Sequence, residues 1–86
     1  MKRVLIIETV SGSYLLAAHL IRYTTWAEPE TIKTYRRPSC ALNAWGAFKK
    51  KFACSIRLKP VRGYVVKFED LAGVMSGTLP FPEPLT

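Results

Sequence analysis

Residues 38–52 read Pro-Ser-Cys-Ala-Leu-Asn-Ala-Trp-Gly-Ala-Phe-Lys-Lys-Lys-Phe, and their spacing decides the fold class. Ala41, Leu42, Trp45, Phe48 and Phe52 recur at intervals of three and four, which places them on one side of a helix. Pro38 followed by Ser39 is a start signal, with Ser39 the expected N-cap because its hydroxyl can accept from an orphaned backbone N–H. Asn43, Ala47, Lys50 and Lys51 fall on the opposite side. Lys49 sits at the border, where its stem can cover apolar surface while the ammonium reaches water. Three lysines at the C-terminal end complement the helix dipole. Gly46 weakens the element by about 1 kcal/mol relative to alanine.

One amphipathic helix needs an apolar surface to lie on, and the flanking sequence supplies strands. Upstream, Thr31 to Arg36 alternates as a third strand, with Lys33, Tyr35 and Arg37 on one face and Ile32 and Thr34 on the other. Val4-Leu5-Ile6-Ile7 with Thr9-Val10 is a β-branched run that reads as the first strand. Ser11-Gly12 then offers a two-residue turn, and residues 13–25 the returning strand. The stretch Leu15 to Leu20 also has high helix propensity, and a helix there would gather Leu16, Leu20 and Tyr23. The Ser-Gly turn and the β-favouring end, Ile21 to Trp26, favour the hairpin. Ala27 to Glu30 is a loop around Pro29. Downstream, Ser55–Lys59 and Tyr64–Phe68 alternate on either side of Pro60-Val61-Arg62-Gly63, which is turn material. They form a second hairpin with Ile56, Leu58, Tyr64, Val66 and Phe68 inward. From Leu71 the chain carries Gly73, Gly77, Pro80, Pro82 and Pro84 and reads as an extended tail.

The expected order is therefore β-β-β-α-β-β. That is an α+β fold, a small antiparallel sheet covered on one face by the single helix. Residues 1–70 make one domain and residues 71–86 the tail, and 86 residues leave room for no second core. The tail's alternate prolines present a preformed extended segment that a partner groove could read. Packing along its own domain to cover a sheet edge is the plainer role.

The formal net charge of +7 is unevenly spread. Residues 1–30 balance, whereas residues 31–67 carry ten cations and no acid. Such a run repels itself and is stabilised by an anionic partner or by counterions. Catalysis finds little support. The sole histidine, His19, lies in the most apolar stretch, and Cys40 and Cys54 lack the short paired spacings of a zinc site. Ser11-Gly12-Ser13 is too poor in glycine for a phosphate loop. The chain is expected to be no enzyme and to need no cofactor or metal. Its two cysteines are expected as buried or half-buried thiols in a reducing cytoplasm. The apolar run after Met1-Lys2-Arg3 is stopped by Glu8, and Tyr14 to Ile21 is too short to span a bilayer, so neither export nor membrane insertion is expected.

Binding is where the residues point. Lys33, Tyr35, Arg36 and Arg37 run into the helix bearing Lys49, Lys50 and Lys51, and Arg57, Lys59 and Arg62 follow. Long cations neutralise phosphates and release counterions, aromatic rings can stack on exposed bases, and Tyr35 and Tyr64 lie in this region either for that role or as ordinary packing residues. These ten positions from Lys33 to Arg62 form the expected site for nucleic acid or a nucleoprotein complex. The layout also resembles small phage-encoded accessory proteins of the anti-CRISPR kind. The likeness rests on 86 residues, a strand pair around Ser11-Gly12, and one helix with Leu42, Trp45, Phe48 and Phe52 packed on a sheet. It transfers no functional residue, and many such inhibitors are acidic where this chain is basic. What it implies is a second route, direct protein–protein inhibition of a host effector complex through aromatic and arginine anchors.

Overall fold

The computed structural model describes residues 2–18, 22–24 and 32–85. The expectations for His19, the Ala27 to Glu30 loop and the start of the Thr31 strand lie outside them. The fold is α+β. Strands β1 (Arg3–Thr9), β2 (Tyr14–Ala18) and β3 (Arg22–Thr24) precede helix α1 (Pro38–Lys51). Strand β4 (Pro60–Lys67), a 3₁₀ turn over Phe68–Asp70 and helix α2 (Leu71–Ser76) follow. The sheet order is β3-β2-β1-β4, and every described pairing is antiparallel.

β1 is central, and the reason is visible in its residues. Val4, Leu5, Ile6 and Ile7 are all fully buried, an unbroken apolar run that only a strand covered on both faces can place. Val4 and Ile6 join Leu16, Ile32, Tyr64, Val66, Leu71 and Val74 on one face. Leu5 and Ile7 join Ala17, Tyr35, Ala41, Trp45 and Phe48 on the other, beneath α1. The expected single-faced cover is thus corrected. α2 and the C-terminal segment close the second face.

Several local expectations change with it. The first turn is a loop over Val10–Ser13 rather than two residues, closed by the Gly12 N–H on the Thr9 carbonyl, with Gly12 at φ 85°. The described residues of 13–25 are not one strand. Tyr14–Ala18 pairs with β1 and Arg22–Thr24 pairs antiparallel with β2, so neither described part is helical. The Thr31–Arg36 strand is reduced to bridge contacts. Tyr35 exchanges both backbone hydrogen bonds with Arg3 at 2.8 Å, and the Lys33 N–H donates to the Ala17 carbonyl.

α1 begins two residues earlier than the expected Ser39 cap implies. Arg37 is the N-cap with no side-chain capping bond, Pro38 sits at N1 where its missing N–H costs nothing, and Ser39 lies inside the helix. The buried stripe is Ala41, Trp45 and Phe48, while Leu42 is 48% exposed. The second hairpin does not form. Ser55–Lys59 is a turn segment with Ile56 in water, and Pro60-Val61-Arg62-Gly63, expected as the turn, is the first half of β4. Proline is tolerated there because it opens an edge strand. Gly63 is required by close approach, since a Cβ at that position would lie 2.7 Å from Trp45 Cδ2.

The boundary at residue 70 is also corrected. Leu71 and Val74 are core residues on α2, so residues 71–76 belong to the domain as a short helix instead of opening an extended tail. Beyond α2 the chain returns along β4. Phe81 stacks on Tyr14 at a centroid distance of 5.2 Å and lies tilted against Tyr64 at 4.7 Å, and the Leu85 N–H donates to the Gly63 carbonyl.

Candidate nucleic-acid interface

The direction of α1 sorts the basic residues into two groups. The helix starts just after Tyr35, which bridges Arg3 at one end of β1. Its Trp45 then covers Gly63, the partner of Ile7 further along β1. α1 therefore runs from the Arg3 end of the sheet toward the Thr9 end, and Arg37 and Lys51 are about 21 Å apart at 1.5 Å per residue.

The Arg3 end holds Lys33, Arg36 and Arg37, all exposed. Two cations outside the expected site join them. Arg3 donates to the Arg36 carbonyl at 3.0 Å, and Lys67 is its cross-strand partner. Arg3 was hidden because the first 30 residues balance in charge, and strand pairing alone brings it here. Between this group and the first turns of α1 lies an open cleft of about 470 Å³, lined by Lys33, Thr34, Tyr35, Arg36, Cys40, Asn43 and Ala44. Two cations and an amide with no carboxylate in the lining suit an anionic group.

The Thr9 end holds Lys49, Lys50 and Lys51 on the last turn of α1, then Arg57 and Lys59 on the segment leading into β4. The Lys49 and Lys51 ammonium groups lie 5.3 and 5.4 Å from the Trp45 and Phe52 ring centroids, so their stems are held along apolar surface. The Val10 N–H donates to the Lys59 carbonyl at 2.9 Å, which pins this segment to the end of β1.

Three expected positions behave differently. Arg62 alternates with Gly63 on β4 and so projects on the face away from α1, where it pairs with Glu8 at 3.5 Å. Tyr35 and Tyr64 are each only 7% exposed. Tyr35 belongs to the core under α1, with the Lys33 ammonium 5.3 Å from its ring centroid. Tyr64 packs on Phe81 and donates to Glu8 Oε1 at 3.2 Å. Neither ring face is open for base stacking, so of the two expected roles the packing one applies.

Cys40 and Cys54 are free thiols, and their expected burial is corrected, since both are exposed. Among the described residues no group of three or more His, Cys, Asp or Glu side chains could hold a metal ion, and no helix is long and apolar enough to cross a membrane. Fold and surface together define a small α+β domain with cations grouped at both ends of one helix. Comparison with protein-family models, curated proteins and solved structures returned no match to this chain.

Proposed function

We propose that this chain is a small non-catalytic binding protein of the cytoplasm whose basic surface contacts nucleic acid or a nucleoprotein complex, in the manner of a phage or mobile-element accessory protein. The observation that carries the reading is the exposure of the acid-free segment. Lys33, Arg36, Arg37, Lys50, Lys51, Arg57, Lys59 and Lys67 all reach solvent, and residues 31–67 contain no carboxylate to neutralise them. Tyr35 and Tyr64 supply no base stacking to it, because both are core residues. Phosphate contacts supply the affinity instead, and a stem held along an aromatic ring loses less freedom when its ammonium binds.

The test is the K49Q/K50Q/K51Q variant. If each lysine neutralises one phosphate of duplex DNA, the slope of log affinity against log salt falls by about 3 with the circular-dichroism spectrum unchanged. An unaltered affinity and slope would remove this end of α1 from the interface. Pull-down from lysate with and without nuclease separates the competing inhibitor reading. A stoichiometric protein partner retained after nuclease treatment, with little affinity for free DNA or RNA, favours direct protein contact.

A further inference from the structure

Ile56 is 92% exposed, the most exposed large apolar side chain among the described residues. It does not dangle. The Ser55 N–H donates to the Phe52 carbonyl at 3.1 Å, the Leu58 N–H donates to Ser55 Oγ at 2.9 Å, and the Lys59 carbonyl accepts from Val10. Phe52 itself lies 4.6 Å from the Phe48 ring, centroid to centroid, so the segment is anchored to the core at its start. A β-branched side chain gives such a turn nothing that Gly, Asn, Asp or Ser would not give better. The turn therefore holds an aliphatic side chain out in water, with Arg57 next to it, Lys59 beyond, and Lys49–Lys51 at the same end of the fold.

We infer that Ile56 is a wedge that enters between base pairs of duplex DNA from the minor groove while the flanking cations hold the phosphates on either side. This rests on the nucleic-acid reading above and adds to it the duplex, the groove and the residue. Charge complementarity selects the occupant, because an apolar tip within an acid-free segment, with Arg57 beside it and Lys59 beyond, suits a groove floor between two phosphate rails. A single aliphatic side chain is what one unstacked base step accommodates, and the unstacking bends the duplex toward the major groove. A lipid surface fits less well. One isoleucine offers far less apolar area than a fatty-acyl chain, and even one such chain anchors a protein only marginally.

The experiment uses the full chain and a duplex carrying 2-aminopurine at its centre and a fluorophore pair at its ends. Binding by the wild type should raise 2-aminopurine emission and shorten the end-to-end distance. I56A, a surface change that leaves the fold intact, should bind within about tenfold of wild type with the same salt slope yet lose both signals, and I56F should restore them. Duplex binding without unstacking, or unstacking that survives in I56A, overturns the wedge alone. Absence of salt-dependent binding to duplex DNA, single strands and RNA overturns the parent reading and the wedge with it. Capture by phosphatidylserine vesicles that is lost in I56A assigns the tip to membranes and overturns the wedge.

Discussion

Gly63 and Tyr64 are neighbours on β4 that face opposite sides of the sheet, and each makes a contact that a single substitution can test. Trp45 lies flat against the bare Gly63 backbone, and its ring cannot move aside as a flexible chain end could. G63A should therefore lower stability by about 1–3 kcal/mol, the usual cost of overpacking, read as a shifted urea midpoint. On the other side, burial first, then the Glu8 charge and the hydrogen bond to it, push the Tyr64 phenol above its ordinary value, with Arg62 acting the other way. The unfolded chain loses that proton at about pH 10, so the stability contributed by the neutral phenol is whole below that pH and is lost as pH climbs through the raised folded value. Y64F should show a smaller loss of stability than wild type between about pH 8 and pH 11, measured by urea unfolding. An equal loss in both would place the alkaline sensitivity elsewhere.

At the scale of elements, the sequence was most legible where one element carried its own signal. The Trp45–Phe48 spacing and the Val4–Ile7 run needed no partner to be recognised, and both elements stand. The errors cluster where the deciding contact is long-range. Ser55–Lys59 alternates as well as any strand in the chain, yet β1 has only two neighbour positions. β2 takes one and Pro60–Lys67 the other. α2 is too short to be helical alone, and it forms because Leu71 and Val74 find the uncovered face of the sheet. The C-terminal segment belongs to the same closure. F81A removes a ring packed against two others, so it should destabilise the fold by about 2 kcal/mol and lower the thermal midpoint. A neutral outcome would mean that residues 79–85 add nothing to the core.

For the molecule as a whole, size and charge set the response to salt. The described fold spans 33 × 25 × 24 Å. The screening length is about 30 Å at 0.01 M salt and about 8 Å at 0.15 M, so at low salt the cations at the two ends of α1 repel one another across the whole protein. Raising salt from about 0.01 to 0.15 M should raise the melting temperature by on the order of 5 °C while weakening binding to nucleic acid. Melting that is insensitive to salt would show that these cations do not repel measurably in the folded state. The basic half of the chain was plain from composition, but its partition was not. Arg3 and Lys67 join one end only because β1 and β4 pair, and Arg62 leaves the group only because strand alternation turns it toward Glu8.

By itself the sequence determined what is local or additive: one amphipathic helix, a β-branched strand, the α+β class, and a run of ten cations without an acid. The tertiary structure alone decided which strand flanks β1, that both sheet faces are covered, that Tyr35 and Tyr64 are core, and that Ile56 stands in water. Periodicity records which side of an element is apolar. Which other element covers that side is settled by competition among distant segments for the same buried surface, and no window of neighbouring residues contains that information.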